Sequence, residues 1–163
     1  MTGEKTPQAR LIGPSTALKQ KAREYVRFDQ ASLARVEKAF ATFVQANKGW
    51  CKTQAEALSA AFETWPASGS VSREAARALF GLAHDLRGLG TTLGYPLLTA
   101  TCDSLCKFLD ERDLAPDDIR IVKLHVDMVV LVVTKDMQGD GGELGRGLMT
   151  DLRNAVAERQ GED

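Results

Sequence analysis

The chain of 163 residues has the length of one ordinary domain, and its 44% apolar content is enough for a single hydrophobic core. Lys and Arg number 21 against 22 for Asp and Glu, a formal net charge of −1, so no overall positive field would draw the chain to nucleic acid or to an anionic membrane. No apolar run approaches the roughly 20 residues of a membrane span, and the N-terminal segment lacks the apolar stretch of a signal peptide. These features argue against nucleic-acid and membrane partners and predict a cytoplasmic protein.

The N-terminal segment differs in composition from the rest of the chain. Residues 1–28 mix Pro, Gly, Thr and Lys with few large apolar side chains, which gives little burial to offset the entropy lost on ordering. The sequence therefore predicts a mobile tail over 1–28, with a short helix around Thr16–Tyr25, followed by one helical domain over 29–160.

A long first helix is predicted from Asp29, a suitable N-cap, to the stretch Pro66–Gly69. Gly49 is the position where this helix could be interrupted. Its apolar residues recur at helical spacing and predict one long helix: Leu33, Val36, Phe40, Phe43, Trp50, Leu58, Phe62 and Trp65.

Two shorter helices follow. Ser70 or Ser72 is suited to cap the second, which is predicted to run to about Leu93 and to end at Gly94. Pro96 stands where a helix accepts proline, in the first turn of the third. That helix carries a predicted inward face of Leu98, Cys102, Leu105 and Leu109.

The last third of the chain predicts two more helices. Pro116 and the acidic pair Asp117 and Asp118 suit the first turn of a fourth helix that continues to about Asp136. Its segment MVVLVV could form a strand in isolation, but no second strand pattern exists to pair with it. The turn QGDGG then precedes a helix with the apolar positions Leu144, Leu148, Leu152 and Val156. The sequence thus predicts an all-α fold, an antiparallel up-and-down four-helix bundle with an additional N-terminal helical segment.

The second helix carries the most informative pattern. On a helical wheel, one arc is apolar and predicts the core-facing side: Leu79, Leu82, Ala83, Leu86, Leu89 and Leu93. The opposite side predicts an exposed face of Arg77, Gly81, His84, Gly88 and Thr91, with Phe80 and Arg87 at its edge. His84 is therefore expected to be exposed in the middle of a helix.

Glycine is unusual at the centre of such a helix, because it costs roughly 0.5 to 1 kcal/mol relative to alanine. Gly88 lies one turn from His84 on the same face, and Gly81 lies one turn the other way, so the missing side chains leave room for another molecule to reach the imidazole. Arg87, three residues from His84, offers a guanidinium suited to phosphate oxygens. Together these residues predict a phosphoryl-carrying site.

The run His84, Asp85, Leu86, Arg87, Gly88, with Gly94 six residues further on, resembles the signature of histidine phosphotransfer domains. The stretch from GTTLGYPLL to LCKFL is similar to a bacterial group of stand-alone phosphotransfer proteins, and the resemblance covers about Ala76 to Leu109. It implies that His84 accepts the phosphoryl group on its distal ring nitrogen and that Arg87, where the family more often has lysine, stabilises it. It also implies that Gly88 admits a receiver domain. The long first helix departs from a minimal domain of this family.

The resemblance implies a phosphocarrier, not an autokinase, and the chain contains no glycine-rich ATP-binding motif. The expected partners are response-regulator receiver domains, a histidine kinase or a hybrid kinase. No cofactor of its own is expected, since the receiver would supply the aspartate and Mg²⁺. Receiver docking is assigned to Gly88, Gly81, Phe80, Thr91 and Arg77, although Phe80 equally suits the edge of the core and Thr91 a plain solvent position.

Two other functions are compatible with the sequence. One is an interaction module that binds receivers or kinases without being phosphorylated. The other is a metal-dependent enzyme built on Cys102, Cys106 and His125, since residues four apart can place two ligands on one helix face. The cysteines alternate with leucines and His125 lies among apolar residues, so the prediction is buried packing and no metal. Three cysteines without an export signal also argue against a disulfide framework.

Overall fold

A computed structural model describes residues 29–65, 72–110 and 114–161. These residues form five α-helices and contain no strand: α1 (Gln30–Glu63), α2 (Arg73–Gly90), α3 (Pro96–Asp110), α4 (Asp118–Thr134) and α5 (Gly142–Gly161). The all-α prediction is confirmed for this part of the chain. The predicted tail, its short helix and the break at Pro66–Gly69 lie outside the described residues.

The local signals for helix ends are confirmed at three places. The backbone N–H of Ser32 donates to Asp29 Oδ1 at 2.6 Å, and that of Ala75 donates to Ser72 Oγ at 3.2 Å, so both side chains cap a helix as their residue types predict. Pro96 is the first residue of α3. Helix α1 continues through Gly49 without interruption, and MVVLVV is helical.

Helix α2 ends at Gly90, three residues before the predicted end at Leu93. The Gly90 carbonyl accepts hydrogen bonds from the N–H groups of Leu93, at 3.2 Å, and Tyr95, at 2.8 Å. Gly94 has a φ of +90°, a conformation that favours glycine, and it completes the turn into α3. Helix α4 is also shorter than predicted. It begins at Asp118, two residues after Pro116, and ends at Thr134, two residues before the predicted end at Asp136.

Among the described residues, one compact unit ends at Phe40 and a second begins at Ala41. From Ala41 onward, α2 contacts α3, α3 contacts α4, and α5 contacts both α4 and α3. The core draws on all of these helices and on the second half of α1 through Cys51, Ala55 and Leu58. All four predicted inward residues of α3 are buried: Leu98, Cys102, Leu105 and Leu109.

The apolar faces of α1 and α5 are only partly buried. Four residues of α1 are 44% to 61% exposed: Leu33, Val36, Phe40 and Phe43. Helical spacing puts them on one face but does not specify what covers that face. Leu144 is also exposed, because the buried face of α5 is centred on Gly145, Met149 and Leu152, and adjacent residues of a helix differ by about 100°.

No helix in the described ranges is long and apolar enough to cross a membrane.

Candidate functional site

His84 lies in the middle of α2 with 53% of its side chain exposed. Its neighbours toward the core, Leu79, Ala83 and Leu86, are fully buried and fix the orientation of the helix. A mid-helix residue on the opposite side must then face solvent. The predicted exposure of His84 is confirmed.

Two neighbours orient the imidazole. The ring of Phe80 stacks on it with 6.0 Å between ring centroids and 23° between planes. The Nδ1 atom lies 3.9 Å from Asp85 Oδ1, beyond hydrogen-bonding distance but close enough for attraction between a ring N–H and a carboxylate.

The glycines beside His84 are not required by packing. A Cβ atom added to Gly81 or Gly88 meets no heavy atom within 4 Å, apart from their own helix backbone and chain neighbours. Gly90, two residues further on, is different, because its Cβ would lie 2.6 Å from Thr99 Oγ1 and 3.1 Å from the Thr99 backbone nitrogen. Packing thus explains Gly90, whereas Gly81 and Gly88 simply leave the surface around His84 open.

Arg87 lies at the edge of the exposed face, as predicted, and is held by the next helix. Its Nη1 lies 3.2 Å from Asp103 Oδ1 on α3, and Lys107 Nζ lies 2.8 Å from the other carboxylate oxygen. The hydrogen bond from Lys107, and then that from Arg87, hold the pKa of the Asp103 carboxyl below its usual value. Sequence reasoning missed Asp103 and Lys107, because their relation to Arg87 depends on how α2 packs against α3.

The other predicted docking residues lie on α2 or just after it. Arg77 and Thr91 are exposed, and Thr91 lies in the turn after α2, where its hydroxyl donates to Thr99 Oγ1 at 3.0 Å. Phe80 is half-buried and packs against the core while it stacks on His84. Phe80 thus lies at the edge of the core, one of the two alternatives that the sequence left open, and the docking roles stay predictions.

The second histidine, His125, is part of the core. His125 is fully buried, and its Nδ1 lies 2.7 Å from the Ile121 carbonyl oxygen, which can only accept, so Nδ1 is the donor. The Ser104 hydroxyl then donates to Nε2 at 2.9 Å. Both ring nitrogens are thus engaged within the core.

The cysteines are also packing residues. Cys51, Cys102 and Cys106 are buried and free, and burial raises the pKa of each thiol. Within the described ranges, no group of three or more His, Cys, Asp or Glu side chains is arranged to hold a metal ion. The predicted buried packing of Cys102, Cys106 and His125 is confirmed.

Comparison with known proteins found no matching family model, no matching curated protein and no matching solved structure.

Proposed function

We propose that this chain is a histidine phosphotransfer protein that carries a phosphoryl group on His84 between a kinase or receiver domain and a response regulator. The observation that carries the proposal is the exposed His84 between two glycines that no packing contact requires. A glycine that lowers helix stability without serving the fold is best explained by a molecule that approaches from outside.

The proposed phosphoryl transfer requires few groups from this chain. The lone pair of His84 Nε2 forms a bond to phosphorus while the bond between phosphorus and a receiver aspartate oxygen breaks, and the electron pair of that bond stays on the aspartate carboxylate. In-line transfer of this kind depends on positioning and charge stabilisation. The receiver would hold Mg²⁺, and this chain would supply the accessible imidazole and the Arg87 cation, with no cofactor of its own.

The proposal includes a fold and a location. The helices α2 to α5 would form the antiparallel up-and-down four-helix bundle predicted from sequence, with α1 as the additional segment. A receiver domain, or the receiver of a hybrid kinase, would dock over Gly88, Gly81, Phe80, Thr91 and Arg77. Both partners and carrier would be cytoplasmic.

A receiver panel tests the proposal. The purified protein is mixed with receiver domains charged by acetyl phosphate, and intact mass and acid lability are measured. We expect one acid-labile phosphoryl group in the wild type and none in His84→Gln.

A pair of glycine variants tests the role of the open surface. Gly88→Leu should retain helicity but block transfer, because the leucine side chain fills the space beside the imidazole. Gly147→Leu is the matched control, since Gly147 is an exposed helical glycine of α5 with the same open surroundings. Equal transfer by both variants would contradict the steric account, and receiver binding without phosphorylation of the wild type would favour a non-phosphorylated interaction module.

A further inference from the structure

The carboxylate of Asp103 joins cations from two helices. Its Oδ1 lies 3.2 Å from Arg87 Nη1 on α2, and its Oδ2 lies 2.8 Å from Lys107 Nζ on α3. All three side chains are at least one-third exposed, so the group lies at the surface and is accessible to a second anion. The three side chains together carry a net charge of +1.

Helical spacing puts Arg87, one member of this cluster, one turn after His84. Phe80 and Arg87 are on the same edge of the exposed face of α2, one turn before and one turn after His84. Across from them on α3, Cys106 Sγ lies 4.0 Å from the Phe80 carbonyl oxygen, and Asp103 pairs with Arg87. Asp103 and Lys107 therefore lie along α3 at the level of His84.

The cluster can bind a second anion while Asp103 stays in place. A phosphoryl group has up to two negative charges and three acceptor oxygens, whereas Asp103 has one charge and two oxygens. The contact with Asp103 uses Nη1 of Arg87, and a guanidinium has five N–H donors, so Arg87 can hold Asp103 and a second anion together.

We infer that Asp103 is a positioning residue that keeps Arg87 and Lys107 as a pair of cations beside His84, and that both cations contact the phosphoryl group there. The inference rests on the proposed function and adds a second cation that the sequence signature does not contain. Asp103 then acts only through Arg87 and Lys107.

The direction of the rate change in Asp103→Asn distinguishes a positioning role of Asp103 from a purely electrostatic one. Asp103→Asn removes a negative charge beside the incoming anion, so a purely electrostatic role predicts faster phosphorylation of His84. Positioning predicts slower phosphorylation, by about threefold to tenfold, because the two cations lose their common partner. Asp103→Glu keeps the carboxylate and should phosphorylate His84 at a rate within about twofold of the wild type.

The test is the initial rate of His84 phosphorylation by phosphoramidate, a small donor, and by one charged receiver. Lys107→Ala should be slowed by about threefold to tenfold with both donors. Lys123→Ala is the matched control and should match the wild type, since Lys123 forms a similar exposed pair with Asp127 on α4, at 2.6 Å. Unfolding in urea should be nearly unchanged in all variants.

The outcomes are distinguishable. Asp103→Asn or Lys107→Ala at or above the wild-type rate, with the wild type phosphorylated on His84, overturns the inference and leaves the proposed function intact. Absence of phosphohistidine from the wild type with either donor overturns the proposed function and the inference with it.

Discussion

Protonation of His125 is expected to control the stability of the fold in mild acid. Burial lowers the pKa of His125 from 6.5 to about 4, because the charged ring would lose its hydration, while the hydrogen bond to Ile121 acts in the opposite direction. The folded protein therefore binds this proton more weakly than the unfolded chain does. The neutral ring stabilises the fold fully above about pH 6.5, and this stabilisation is lost as the pH falls toward 4.

The size of the effect follows from the two pKa values. Linkage between the folded value of about 4 and the unfolded value of 6.5 gives a loss of about 2 kcal/mol at pH 5 and about 3 kcal/mol at pH 4. Four carboxyls have folded pKa values below 3.8, so their protonation contributes mainly at lower pH: Asp29, Asp103, Asp136 and Asp140. The change in the free energy of unfolding between about pH 4 and 6.5 thus depends mainly on His125.

Urea unfolding at about pH 7 and pH 5 measures this loss. His84→Gln is the matched control, since the chain has only two histidines and His84 is the exposed one. His125→Gln should unfold with much less pH dependence, and an NMR titration of the His125 ring in the wild type gives the same information if that variant does not fold. A wild type equally stable at both pH values would refute the reasoning.

Four further substitutions concern stability, and urea unfolding checks each of them. Gly88→Ala should stabilise the protein by about 0.5 to 1 kcal/mol because its Cβ meets open space, whereas Gly90→Ala should destabilise it by more than about 1 kcal/mol because its Cβ meets Thr99. The reverse order would contradict the packing account. Arg159→Met should cost about 3 kcal/mol, since Arg159 Nε lies 2.9 Å from the carboxylate of Asp118, which is 2% exposed. Arg146→Met, which removes an exposed pair with Asp140, should cost less than about 1 kcal/mol, and equal costs for the two arginines would count against the importance of burial.

Much of the local structure could be predicted from sequence because it depends on neighbours in the chain. Asp29 and Ser72 cap helices through hydrogen bonds to residues three positions away, and the exposure of His84 follows from the periodicity of α2. The buried state of His125 was likewise indicated by its apolar neighbours.

The errors and omissions concern contacts between helices. The Arg87–Asp103 pair joins residues 16 apart in sequence, and no local pattern indicates that α2 and α3 bring them together. The early end of α2 depends on the turn through Gly94 and on the close approach of Gly90 to Thr99. Leu144 illustrates a related limit, since apolar spacing identifies a helix face but not where the centre of that face meets the core.

The most direct test of the central claim is to locate the phosphoryl group by fragmentation mass spectrometry under neutral conditions, after charging with a receiver. The two histidines provide an internal comparison, since His84 is exposed and both nitrogens of His125 are engaged in the core. Our account predicts that the acid-labile phosphoryl group is on His84 alone. A phosphoryl group on any other residue, or none with a receiver that binds, would contradict it.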